Sequence, residues 1–162
     1  DDTGSRGLGD VYKRQAVTLS AKILKELRER NSLNTEEIED VIWGNVTQVG
    51  EQGGCLARSA VIAANYSEST PGLSINRFCA SGLEAVNLAT NQVKGSAGNA
   101  YVAGGVEMMS RVPMGSDGAA IAVDPTLAMN SYFVPQGISA DILATKYGFS
   151  RDDVDALSLI HI

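Results

Sequence analysis

The sequence has 162 residues, 44% of them hydrophobic and 20% charged, which fits one folded domain and excludes a disordered chain or a disulfide-stapled miniprotein. Thirteen Lys and Arg against 19 Asp and Glu leave a net charge of −6 without any basic run, so no nucleic acid partner is expected. No apolar stretch approaches the roughly 20 residues that cross a bilayer, and no signal peptide is recognisable, so the expectation is a cytoplasmic protein without membrane association.

In chain order, Leu19, Ile23, Leu24 and Leu27 recur at helical spacing and predict an amphipathic helix over Leu19–Arg30. The acidic segment 34–40 carries a helix-start signal and leads into a short strand, Val41–Val46. Glycines between Gly50 and Gly54 break the pattern before an Ala-rich helix, Leu56–Ala64. After the Pro71-Gly72 turn, Leu73–Phe78 alternates as a strand, followed by a helix from Ala80 or Ser81 to Lys94. Leu83, Val86, Leu88, Ala89 and Val93 point in too many directions for a surface helix, so this one is expected to be buried. Ala100–Ala103 is a further strand, ending at Gly104-Gly105. Strands alternating with helices predict an α/β fold with a mainly parallel sheet. Residues 111–137, punctuated by Pro and Gly, are expected to be a loop insertion with a binding or assembly role. A helix then spans Ile138 to Tyr147 and stops at Gly148, and Ser150 with Asp153 starts the last one.

The two ends share an unusual coding relationship. Asp10–Gln15 can be written GAT GTG TAT AAG AGA CAG, and the reverse complement of that string translates as Leu157–Ile162. The string resembles a transposase end sequence used in library adaptors. Residues 1–15 and 157–162 are therefore expected to be non-native tails around a segment of 16–156. The only histidine, His161, falls in the second tail, which leaves no resident imidazole for base or metal chemistry.

Two cysteines, Cys55 and Cys79, lie 24 residues apart without CxxC spacing, and neither a disulfide framework nor a metal site is expected. Cys79 stands where a strand gives way to a helix, in Asn76-Arg77-Phe78-Cys79-Ala80-Ser81-Gly82. Unpaired amides and the positive end of the helix dipole favour a thiolate there. Small neighbours leave the sulfur approachable, and the Cys79 amide can face an oxyanion formed on attack. The alternative is an inert, buried free cysteine.

This stretch resembles the nucleophile motif of thiolases, the acetyl-CoA acetyltransferases and 3-ketoacyl-CoA thiolases, with Cys79 in the Asn-Arg-x-Cys-x-Ser-Gly context. Val49–Gly53 with Ala57-Arg58, and Gly104–Ser110 as a GGxExMS motif, extend the resemblance over most of 16–156. It implies the N-terminal half of a layered α/β fold and Cys79 as the residue that becomes acylated. It also implies coenzyme A thioesters as substrates, no permanently bound cofactor, no metal and a homo-oligomeric parent, dimer or tetramer. In thiolases the activating histidine, a second cysteine and a water-holding asparagine lie in the C-terminal half, so this chain as written is expected to be inactive and poorly soluble. The rival readings are a β-ketoacyl-carrier-protein synthase-like enzyme, against which the Asn-Arg-Phe-Cys context speaks, and a thiolase-like lipid-binding protein without a working nucleophile.

Other residues carry plainer expectations. Cys55 precedes the nucleophile in a different motif and is read as a small buried residue. Gly104 and Gly105 are read as structural. Glu107 is either a partly buried acid with a raised pKa or, the preferred reading, a hydrogen-bonded carboxylate supporting the nucleophile loop. Met108, Met109 and Met114 are read as soft packing residues. From the resemblance, Ser131–Gln136 is expected to line a ligand.

Overall fold

A computed structural model describes residues 15–161 in two units, the first ending at Asp117 and the second starting at Gly118. In the first unit the elements are α1 (Ala16–Asn31), β1 (Asp40–Gly44), α2 (Leu56–Ala63), β2 (Gly72–Ile75), α3 (Ser81–Lys94) and β3 (Tyr101–Gly105). One-turn 3-10 segments at Thr35–Glu37 and Gly50–Gln52 flank β1. The strands form a parallel sheet in the order β2-β1-β3, with Ile42 opposite both Leu73 and Ala103.

Alternation along β1 sends neighbouring side chains to opposite faces of the sheet. Val41 and Trp43 join Ala21 and Leu24 of α1, Ala57, Ala60 and Val61 of α2, and Val102 of β3 in one cluster. Ile42 meets Ala85 and Ala89 of α3, with Ile75 and Ala103, in a second. Both faces of β1 are thus covered by helices, as a parallel sheet requires. The Trp43 ring lies on the α1 side, where its indole N–H donates to Ser20 Oγ at 3.0 Å. Gly104 stands opposite Trp43 in the register, and a Cβ there would come within 2.5 Å of the ring.

The strand and helix pattern read from the sequence is reproduced, with differences that have local causes. β2 ends at Ile75, three residues early, because the Asn76 side chain accepts the Phe78 amide at 2.8 Å and Phe78 takes a left-handed φ of 48°. α3 is not a buried helix: only Ser81, Ala85 and Ala89 are buried, while Leu83, Val86 and Val93 are exposed. One stripe meets the sheet, and the described residues supply no cover for the others.

The second unit holds α4 (Ala120–Val123), α5 (Pro125–Ser131), α6 (Gln136–Tyr147) and α7 (Arg151–Leu159), and none of the four contains a buried residue. Residues 111–137 are therefore not loop throughout. Asp124 caps α5 by accepting the Leu127 amide, with Pro125 at the first helical position, a start signal that the proline and glycine punctuation obscured. Gly148 ends α6 at φ 69°, and Ser150 with Asp153 forms a reciprocal capping box on α7. The expected tail at 1–15 lies outside the described residues except for Gln15, whose carbonyl accepts the Leu19 amide. In the expected tail at 157–162, residues up to Leu159 belong to α7.

Candidate active site

The carboxyl ends of parallel strands are where α/β folds place their ligands, and the first unit gathers its chemistry there. Beyond β2, Asn76–Ser81 is knotted by its own side chains. Ser81 Oγ donates to the Phe78 carbonyl at 2.6 Å and accepts the Arg77 amide at 2.8 Å, while Asn76 Oδ1 holds the Phe78 amide. The Ala80 amide donates to the Arg77 carbonyl at 3.1 Å, closing the turn. Phe78 pays about 1–3 kcal/mol for its left-handed backbone, which the three side-chain bonds offset.

Gly44 sets how near this turn comes to the sheet. A Cβ at Gly44 would lie 2.7 Å from the Ser81 carbonyl carbon and 2.8 Å from the Gly82 nitrogen. The absence of a side chain therefore lets the N-terminus of α3 rest directly on the end of β1. Cys79, two residues ahead of α3, is exposed and reduced. The first helical bond at this end runs from the Glu84 amide to the Ala80 carbonyl, 2.8 Å, so the Cys79 amide lies outside the helical ladder.

Cys79 opens onto a cleft of about 590 Å³ that Phe78, Gly82, Gly104, Gly105, Val46, Thr47, Val106, Glu107, Met109 and Met114 also line. Its apolar side suits a hydrocarbon chain and its thiol suits a carbonyl. A second groove of about 630 Å³ runs past Leu27, Val93 and Tyr101; it contains neither cysteine.

Opposite readings of Glu107 are separated by its contacts. Its carboxylate accepts the Val46 amide at 2.8 Å, the Thr47 amide at 3.2 Å and Gln52 Nε2 at 2.8 Å. Burial alone would push its pKa up, but the bonds from Val46, Gln52 and Thr47 outweigh it and hold the group below the ordinary carboxylate value. The raised-pKa option is therefore wrong. Its partners also lie in the segment after β1, so it supports the facing wall of the cleft and not the nucleophile turn.

Cys55 is not a buried residue. It is exposed at φ 58°, just ahead of α2, with Sγ 3.2 Å from the Gly72 carbonyl oxygen. Its left-handed position before the helix turns the side chain toward the start of β2 and out of the core. Gly104 and Gly105, read as structural, also line the cleft beside Cys79, and a Cβ on Gly105 would lie 2.7 Å from the Gly44 carbonyl oxygen. Met109 and Met114 are exposed and line the cleft, the latter at 80% relative exposure, so neither is core packing. Ser131–Gln136 and His161 belong to the second unit.

Sequence reasoning missed Gly44, Thr47 and the wall built by Gln52. Gln52 is fully buried, donating Nε2 to the Thr47 carbonyl and accepting the Met108 amide at 2.6 Å. A polar residue inside a glycine-rich break, eight residues past the end of β1, was the available signal.

Comparison with known proteins adds an independent line. The family described as thiolase, N-terminal domain, matches residues 3–160. The chain belongs to the thiolase family. A 3-ketoacyl-CoA thiolase of Colwellia psychrerythraea is 39% identical over 145 residues, covering 88% of this chain and 37% of the relative. A 3-ketoacyl-CoA thiolase of Pseudoalteromonas atlantica is 36% identical over 155 residues, covering 93% and 39%. The crystal structure of the Bacillus anthracis acetyl-CoA acetyltransferase superposes with a TM-score of 0.56 at 33% identity, covering 59% of this thiolase chain and 24% of that one. The chain thus spans less than two fifths of the length of these relatives. Among the described residues no helix is long and apolar enough to cross a membrane.

Proposed function

We propose that the thiolase of which this chain is a part is an acyl-CoA acyltransferase, with Cys79 as the residue that carries the acyl group. The observation that carries the reading is the exposed thiol at the head of α3, placed by Gly44 and the Ser81 knot at the strand ends and open to a partly apolar cleft.

In the degradative direction, Cys79 Sγ attacks the 3-keto carbonyl of a 3-ketoacyl-CoA. A bond forms between sulfur and that carbon, the bond between the α and β carbons breaks, and the departing acetyl-CoA carbanion takes a proton. Free coenzyme A then attacks the acyl-enzyme, gives its thiol proton to a base and releases a shortened acyl-CoA. The reverse sequence is the condensation of acetyl-CoA. Amides at the head of α3, the Cys79 amide among them, are suited to stabilise the oxyanion. The proton transfers fall to the histidine and the second cysteine, with an asparagine holding a catalytic water, all of which the resemblance assigns to the C-terminal half. The chain as written is accordingly proposed to form the acyl-enzyme and not to turn over. Assembly of the parent into a dimer or tetramer, a cytoplasmic location, and the non-native origin of residues 1–15 and 157–162 belong to the same reading; the coding nucleotides test the last of these.

The test is peptide mass spectrometry after incubation with acetyl-CoA, with an acetylated acyl carrier protein in parallel. One acetyl group on Cys79 from acetyl-CoA, lost in Cys79→Ala, is the expected result. Acetylation of Cys55 alone would overturn the assignment, and transfer from the carrier protein alone would move the chain to the condensing-enzyme reading.

A further inference from the structure

The cleft that holds Cys79 has a polar wall in which several independent hydrogen bonds converge on one carboxylate. We infer that Glu107 is a positioning residue, which sets the binding wall of the cleft by holding Val46 and Thr47 in place; this rests on the acyl-transfer reading of Cys79.

The wall begins where the backbone leaves the sheet. β1 ends at Gly44, and past it the amides of Val46 and Thr47 have no strand partner. Both end on one carboxylate: Val46 N–H on Oε2 at 2.8 Å and Thr47 N–H on Oε1 at 3.2 Å. Gln52 completes the lock. Its Nε2 donates both to Glu107 Oε1 and to the Thr47 carbonyl, and its Oε1 takes the Met108 amide. The loops after β1 and β3 are thereby tied into one wall, and Val46, Thr47 and Glu107 line the same cleft as Cys79.

Asn45 shows that the carboxylate dictates the arrangement. Its Nδ2 lies 3.4 Å from Glu107 Oε2 and 3.2 Å from the Val106 carbonyl oxygen, while its buried Oδ1 has no partner in the protein. Turning the amide over would set Oδ1 against two oxygens, so the side chain keeps its donor toward Glu107. None of these bonds involves Asn76–Ser81, which is knotted by its own side chains. The wall and the nucleophile are therefore held by separate networks. Disturbing Glu107 changes how a substrate is seated and leaves the thiol where it is.

A glutamine at this position has the same shape but offers one acceptor oxygen, and its NH2 would face a backbone N–H donor to donor. The experiment is saturation labelling of Cys79 by bromoacetyl-CoA on the full chain, comparing the unsubstituted protein with Glu107→Gln. The thiol displaces bromide, forming a C–S bond and releasing its proton to solvent. Iodoacetamide serves as a small reagent that does not need the wall. For Glu107→Gln the half-saturation concentration is expected to rise about tenfold, the size of one lost charge-assisted bond. The limiting rate and the iodoacetamide rate stay unchanged, and hydrogen exchange quickens at Val46 and Thr47 but not at Phe78. Gln52→Met, which removes the lock and keeps the carboxylate, shifts the same constant in the same direction by less.

An unchanged half-saturation constant in both variants overturns the inference. So does a parallel rise in iodoacetamide reactivity and in exchange across α3, since that marks general unfolding. If the unsubstituted chain shows no saturable labelling, the acyl-transfer reading falls and this inference with it. Saturable labelling in the unsubstituted chain with no change in the variants overturns this inference alone.

Discussion

The first unit and the second are both built from short elements, yet they owe their order to different physics. In the first, Trp43, Val41 and Ile42 are nearly inaccessible and link helices far apart in sequence on two faces of one sheet. In the second, no helix buries a residue, and order rests on chain ends: Asp124 on α5, Gly148 after α6, the Ser150 and Asp153 box on α7. Local signals of this kind specify where helices start and stop and contribute about 1 kcal/mol each. They cannot hold a reactive group in a fixed place. The candidate site therefore belongs to the unit with long-range packing.

That contrast can be broken at its strongest point. Trp43→Ala removes a fully packed ring and its bond to Ser20, and is expected to cost about 3–5 kcal/mol of first-unit stability. Urea unfolding followed by hydrogen exchange should show protection lost across β1, α1 and β3, and protection retained in all three would overturn this. Ser150→Ala probes the other side. It removes one half of the capping box, costing the helix about 1 kcal/mol, and should quicken exchange within α7 only.

Within the first unit, two carboxylates shifted in opposite directions respond differently to pH. Burial raises the Asp40 pKa against the weaker opposing bond from Val41, whereas Glu107, an exposed residue whose carboxylate is only partly desolvated, is held below its ordinary value by its bonds. A raised acid costs the fold stability at neutral pH and relieves that cost as it protonates. A lowered one stabilises above the ordinary carboxylate value and loses this as pH falls through its depressed pKa. Acidification below the ordinary value of 4.5 should therefore loosen the amides of Val46 and Thr47 while the sheet around Asp40 holds. Amide exchange at graded pH checks this, and loss of β1 protection before that of Val46 would reverse the assignment.

The comparison also explains what could be read from the residues in advance. Periodicity located α1, β1, α2, α3 and β3 because each has one apolar stripe or alternation facing the sheet, and Gly148 and Ser150 marked helix ends by backbone chemistry alone. The resemblance to thiolases pointed to Cys79, which the structure places exposed on the cleft. What escaped was relational. Leu83, Val86 and Val93 look buried because apolar residues fill several directions of α3, and composition does not tell which of those directions meet the sheet. Gly44 looks like any strand-end glycine until the α3 terminus is seen against it, and Glu107 looks like an isolated acid until Gln52, 55 residues earlier, reaches it. Cys55 was misjudged for a local reason, a left-handed backbone that sequence does not announce.

The left-handed turn at Phe78 has a bearing on redesign. Because Asn76, Phe78 and Ser81 together fix where the sulfur sits, libraries that randomise them will mostly sample misplaced thiols. Diversity spent on Val46, Met109 and Met114 instead alters the shape presented to an incoming chain around an unmoved nucleophile. The map of tolerant and intolerant positions around Cys79 is thus already drawn by which side chains knot the backbone and which only line the cleft.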